Sequence, residues 1–196
     1  NPVMSSTGVI GNRLPIEKLV TGALKFDLTA KSGENLSRAI MTTDAYPKTC
    51  LYEVKLEDGS SFKIGAVAKG AGMINPNLAT MLCFICTDAD VPYKDIKEAL
   101  NKNKETTFNA ISVDGDTSTN DTVMVLANGK SNAYNKDAFC EALRLVMHDM
   151  AMLMVADGEG AKKVAAFEVR NAATKEDAIK AAKALSNSLL VKTALF

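Results

Sequence analysis

Two alternating runs joined by Asp58-Gly59 constrain this chain more than any other feature. Tyr52, Val54 and Leu56 alternate with Glu53, Lys55 and Glu57, and Phe62, Ile64 and Ala66 alternate on the return. Asp-Gly is a strong signal for a two-residue hairpin turn. A period of two places one set of side chains on a single buried face, so the segment predicts an antiparallel hairpin that needs a covering layer. The return strand runs into a loop rich in Gly, Asn and Pro over 69–79. That loop leads into the apolar stretch 80–87, which reads as a buried strand. Further along, at 136–155, Phe139, Ala142, Leu143, Leu145, Val146, Met147, Met150, Leu153 and Met154 give a helix that is apolar nearly all round. Such a helix is expected to be sandwiched inside a protein.

The remaining elements follow from local signals. Residues 1–12 are small and polar and read as a loop. Pro15 opens a helix, where its missing N–H costs nothing, and Ile16, Leu19, Val20 and Ala23 form its stripe. A second helix fits roughly 33–41. Pro92 opens another to about residue 103, and a strand is predicted at about 106–113. Residues 114–121 are a polar loop, 123–127 a short buried strand and 164–169 a further strand. Thr174-Lys-Glu-Asp177 is a capping box for a last amphipathic helix. This order predicts an α/β chain of the α+β type: a layered sandwich of mainly antiparallel sheet with helices outside.

Composition narrows the functional classes. Across 196 residues, 23 basic and 23 acidic side chains cancel, which argues against nucleic acid as the main partner. The longest apolar run, 150–156, is far too short for a membrane span. The chain starts on Asn and stops on an apolar Ala-Leu-Phe, so both ends are expected to be cuts within a longer polypeptide. Cys83 and Cys86 stand three apart on the predicted strand and must point to opposite faces. They are therefore expected to be structural thiols, and no metal site is expected. Cys50 and Cys140 are remote in sequence. His148, the single histidine, lies in the apolar helix and reads as structural. The Gly-rich stretch 65–72 lacks the form of a phosphate-binding loop and leads into a strand.

What remains is a hydroxyl nucleophile that works without histidine. A threonine at the start of a chain is activated by its own α-amine. Thr80 is internal and would need cleavage of the Ala79–Thr80 bond. A small residue precedes it, the loop before it suits a strained turn, and a rigid strand follows. On residue type alone, Thr80 reads more readily as a β-branched residue that simply begins a strand, since such threonines are common.

Four segments in register carry a resemblance: Ser6-Thr7-Gly8-Val9-Ile10-Gly11, Lys69-Gly-Ala-Gly-Met-Ile-Asn-Pro-Asn-Leu-Ala-Thr-Met-Leu82, Val113-Asp-Gly-Asp-Thr-Ser-Thr-Asn-Asp-Thr122 and Ala156-Asp-Gly-Glu-Gly-Ala161. Together they resemble the bifunctional ornithine acetyltransferase/glutamate N-acetyltransferase family of arginine biosynthesis, over about the middle half of that family's usual length. The resemblance implies a self-cleaving, N-terminal-nucleophile-like architecture, with 1–79 as the end of an α segment and 80–196 as the start of a β segment. It implies a ping-pong acetyl transfer from N2-acetylornithine to glutamate through acetyl-Thr80. It assigns Thr7 and Gly8 to the oxyanion hole, and Thr43, Lys69, Thr80 and Glu159 to substrate binding. No cofactor is implied, although bifunctional members also take acetyl-CoA as acetyl donor. The expected partners are the small substrates, the α and β segments with each other, and further αβ units in a homo-oligomer. The expected compartment is the cytoplasm, or the mitochondrial matrix in a fungus.

These roles make physical sense. A freed α-amine, with a reference pKa of about 7.7–8.0, can take the Thr80 hydroxyl proton near neutral pH. Losing one oxyanion donor typically costs on the order of 3 kcal/mol. Glu159 suits the δ-ammonium of ornithine, and Lys69 a substrate carboxylate. Two positions depart from the family pattern: Ala71 stands where serine is expected and Asn75 where histidine is expected. An Asn and a Thr that complete the family's substrate site belong to its C-terminal part, outside this chain. Two other readings stand beside the acetyltransferase: a β-aminopeptidase-like amide hydrolase of the same architecture, with water as acceptor, and an uncleaved, inactive folding module.

Overall fold

The computed structural model describes residues 3–27, 29–75, 81–119 and 121–195. Its elements run α1 (Ile16–Ala23), α2 (Gly33–Ala39), β1 (Lys48–Lys55), β2 (Ser61–Lys69), β3 (Leu82–Thr87), α3 (Tyr93–Lys104), β4 (Thr122–Ala127), α4 (Lys136–Ala156), α5 (Lys175–Asn187) and α6 (Leu189–Leu195). The mixed α/β class read from the sequence holds. Among the described residues there is one four-stranded sheet, in the order β1-β2-β3-β4. The first two pairings are antiparallel and β3/β4 is parallel. The parallel pair needs a crossover, and α3 supplies it.

The hairpin forms, but its turn is longer than the predicted two residues: Lys55 pairs with Ser61 and the Leu56 N–H donates to the Ser60 carbonyl (2.8 Å), so residues 57–59 make a three-residue loop. Gly59 takes φ +83°, a left-handed conformation that favours glycine. Tyr52 pairs with Ile64 and Val54 with Phe62. These residues share the face that meets α4. Phe62, Ile64, Ala66, Ala68, Cys83 and Ile85 are buried there against Phe139, Leu143, Val146, Met147, Met150 and Met154. The α4 positions recur at three and four residues, one stripe of a helix. Asn135 caps α4 by accepting the Ala138 N–H (3.0 Å), and α3 packs alongside α4.

The sandwiched helix is a correction. Helix α4 buries one stripe only: Met152 is 40% exposed and the His148 side chain is half exposed, with Nδ1 3.5 Å from Asp149. Its many apolar residues reflect methionine-rich packing on one sheet face, not burial on every side. The predicted strand at 106–113 is also absent. The hydroxyls of Thr106 and Thr107 donate to the Asn103 carbonyl and finish α3, and a short 3-10 turn follows at Phe108–Ala110. The predicted strand at 164–169 does not form either. These residues pair with no strand, and Val164 is 48% exposed. β-branched composition alone does not make a strand without a partner. The Thr174 cap of α5 forms, with Oγ1 accepting the Asp177 N–H (3.1 Å), but the second bond runs from the Thr174 hydroxyl to Asp177 Oδ2 (2.8 Å) and not along the predicted box. The stripe of α1 is exposed, with Ile16 60% and Val20 55% accessible. No described helix is long and apolar enough to cross a membrane.

Candidate functional site

The site is built where β2 ends and β3 begins. Lys69 is the last residue of β2 and pairs with Leu82, the first of β3. The resemblance assigns Lys69 to a substrate carboxylate. Lys69 is 1% exposed. Burial pushes its ammonium below the usual lysine range, while the charges of Asp44 and Asp121 oppose that shift. Gly70 follows at φ +152°, and its N–H donates to Asp44 Oδ1 at 2.7 Å.

Asp44 belongs to a buried ionic knot. Lys48 Nζ donates to Asp44 Oδ1 (2.7 Å), to Asp157 Oδ2 (2.6 Å) and to the Tyr46 carbonyl (3.4 Å). Asp44 Oδ2 accepts the Thr42 N–H at 3.1 Å, and Asp157 accepts the Ala45 N–H at 3.0 Å. Burial alone would raise the Asp44 carboxyl. The Lys48 bond and the Gly70 and Thr42 amides outweigh it and hold Asp44 below the usual carboxylate range.

Glu159 lies two residues past Asp157. Its N–H donates to the Ala71 carbonyl (2.9 Å), and its carboxylate rests over Gly72. A Cβ on Gly72 would meet Glu159 Oε1 at 2.8 Å and Cδ at 2.9 Å. A glycine is therefore required to seat the carboxylate in this position. The side chain itself is exposed on the outer rim.

Past Gly72 the chain is clamped. Met73 adopts φ +56°, and the N–H groups of Met73 and Ile74 both donate to the Asp114 carboxylate. Asn75 Nδ2 donates to the Gly115 carbonyl (2.6 Å), and Asn187 Nδ2 donates to Asn75 Oδ1 (3.3 Å). Ala79 and Thr80, the predicted cleavage pair and nucleophile, lie outside the described residues. On their far side, the Met81 N–H donates to Asp121 Oδ1 (2.7 Å) and Met81 accepts from the Thr122 N–H (2.9 Å). Burial raises the Asp121 carboxyl against the pull of the Met81 amide, Ser118 and the Lys69 charge.

The structure thus brings Lys69 and Glu159 to one loop, and the knot ties the 42–45 turn carrying Thr43 to it. Thr43 itself is exposed. Thr7 and Gly8 are exposed, and the atom nearest a Gly8 Cβ is Leu14 Cδ2. No described hydrogen bond joins them to the cluster. Asp44, Lys48, Asp157, Gly72 and Asp121 were missed as site residues. Asp44 and Lys48 are four apart but lie in a turn and at the start of a strand, where that spacing carries no pairing signal, and Asp157 reaches Lys48 across 109 positions. Cys83 is buried and Cys86 exposed, on opposite faces as expected. Among the described residues no group of three or more His, Cys, Asp or Glu side chains could hold a metal.

The ArgJ family model matches residues 1–196. The chain is 62% identical over 196 residues to the arginine biosynthesis bifunctional protein ArgJ of Wolinella succinogenes, covering all of this chain and 50% of that protein. It is 48% identical over 205 residues to a glutamate N-acetyltransferase of Methanococcus maripaludis, again covering all of this chain and 50% of the relative. A crystal structure of the arginine biosynthesis bifunctional protein argJ from Bacillus halodurans aligns with TM-score 0.56 and 41% identity, over 59% of this chain and 58% of that one. The chain spans about half the length of the curated relatives it matches. With the family model covering every residue, the chain belongs to the ArgJ family.

Proposed function

We propose that this chain is the central part of a self-processing acetyltransferase that moves an acetyl group from N2-acetylornithine to glutamate through acetyl-Thr80. The observation that carries the proposal is the register of β2 and β3. Lys69, buried at the end of β2, pairs with Leu82, and Thr80 precedes Leu82 by two positions in the sequence. The names of the matched relatives, an ArgJ bifunctional protein and a glutamate N-acetyltransferase, support the same reaction.

In this reading the precursor cuts the Ala79–Thr80 bond and frees the Thr80 amine. That amine takes the hydroxyl proton as Oγ attacks the acetyl carbonyl of N2-acetylornithine. The tetrahedral oxyanion is held by the Gly8 N–H and the Thr7 hydroxyl, which requires the 3–14 segment to close on the strand entry. The C–N bond breaks, ornithine's α-amine leaves with the proton, and an acetyl ester remains on Thr80. Glutamate's amine then attacks that ester and regenerates the hydroxyl. Lys69 attracts a substrate carboxylate, at reduced cost because its desolvation is already met by the fold. Glu159 takes the δ-ammonium, and Thr43 completes the contacts.

The test is a single half-reaction. The protein is mixed with N2-acetylornithine in the absence of glutamate, quenched in acid, and the fragment beginning at Thr80 is weighed. One added acetyl group, discharged by glutamate, is expected. Discharge by water at the same rate would favour amide hydrolysis instead. An unmodified fragment, or an acetyl group that persists on a Thr80→Ala variant, would remove Thr80 from the mechanism.

A further inference from the structure

We infer that Lys48, through Asp44 and Asp157, is a positioning residue for the substrate site. The inference rests on the acetyl-transfer reading and adds to it a group that touches no substrate. Lys48 is 0% exposed. An ammonium has three N–H donors, and three acceptors take them: Asp44 Oδ1, Asp157 Oδ2 and the Tyr46 carbonyl. The Tyr46 ring lies 4.9 Å from Nζ and closes another side. No donor is left for a ligand, so Lys48 acts only through what it holds.

What it holds is the backbone beside each candidate contact. Asp44 shares Oδ1 between Lys48 and the Gly70 N–H, next to Lys69, and gives Oδ2 to the Thr42 N–H, next to Thr43. Asp157 binds Lys48 and the Ala45 N–H, two residues before Glu159. One ammonium thereby joins three stretches that are far apart in sequence. A buried ion cluster gains little stability over apolar packing of the same volume. Its benefit here is geometric: the charges fix the spacing of Thr43, Lys69 and Glu159.

Asp44→Asn and Asp157→Asn each leave one carboxylate for one ammonium, so neither strands an unpaired buried charge. Both variants of the full chain are measured for KM and kcat with N2-acetylornithine, beside thermal midpoint. The expected result is a KM raised at least fivefold with a smaller change in kcat. The triple variant D44N/K48M/D157N removes all three charges and separates position from stability. It is expected to regain much of the midpoint lost by Lys48→Met while KM stays high. A KM that returns to wild type along with the midpoint would reduce the knot to a purely structural role and overturn the inference. So would single variants with unchanged KM and a lowered midpoint. Wild-type protein that transfers no acetyl group would sink the acetyltransferase reading itself, and this inference with it. Active wild type with indifferent variants would sink the inference alone.

Discussion

Replacing Gly72 by alanine should weaken the enzyme while leaving its stability unchanged or slightly improved. The added Cβ would lie 2.8 Å from Glu159 Oε1, 2.9 Å from Cδ and 3.3 Å from Oε2. Ordinary contact begins at 3.4 Å, so the nearest oxygen must retreat by about 0.6 Å. It can do so, because it is the far end of a flexible, exposed side chain. The backbone does not object, since φ at Gly72 is not in the left-handed region. Removing a glycine at a compatible position typically adds ~0.4–1 kcal/mol through the unfolded state. Under the proposed acetyl transfer, the displaced carboxylate no longer meets the substrate's ammonium. A charge-assisted hydrogen bond is worth ~1.5–3 kcal/mol. Losing the lower figure reduces kcat/KM for N2-acetylornithine about tenfold. The assay is ornithine release at subsaturating substrate, with Glu159→Gln and the double variant completing a cycle. Glu159→Gln alone should cost ~2–3 kcal/mol, and the two changes should be strongly non-additive because they act on one carboxylate. Full additivity, or a Gly72→Ala enzyme as active as wild type, would refute the placement of Glu159 in the substrate site.

Other consequences can be measured separately. Asp121→Ala removes the acceptor of the Met81 N–H and should slow the appearance of the fragment beginning at Thr80 about tenfold or more, the size of a charge-assisted bond, as followed by denaturing electrophoresis. Leu143→Ala, at a fully buried position, should lower unfolding free energy by ~2–5 kcal/mol in urea titrations. The Asp44 carboxyl is held below its ordinary 3.8 in the fold. Its stabilisation is therefore complete above that value and lost as pH falls through the lower folded-state pKa. The thermal midpoint of wild type should drop more steeply below that value than the midpoint of Asp44→Asn. In native protein Cys86 should alkylate first, being exposed. Cys50, pushed up to about 11 by burial, should lag, and Cys83, fully buried, should react only on unfolding.

The hairpin was legible because its signal is local: a period of two on both sides of Asp-Gly. The cap of α5 was legible for the same reason. The strands predicted at 106–113 and 164–169 failed because a strand needs a neighbour, and no neighbour can be read from composition. Helix α4 was found, but its one-sided burial was not, because methionine and leucine on the outer side look the same in sequence whether covered or bare. The site was legible in part. Lys69 and Glu159 were named through a resemblance in motif, and the structure places them against one glycine loop. The knot of Asp44, Lys48 and Asp157 escaped because its third member is distant in sequence, and within its motif Asp157 gave no sign of a charged partner. Gly72 escaped because the need for a missing Cβ is visible only once Glu159 lies on top of it.

Acetyl transfer through Thr80 as proposed requires scission of one backbone bond. Intact mass measurement of purified, active protein under denaturing conditions reads that bond. Two species are expected, one ending at Ala79 and one beginning at Thr80, and a single species when Thr80 is replaced by alanine. A single unbroken chain that nevertheless transfers acetyl groups at full rate would contradict the proposal.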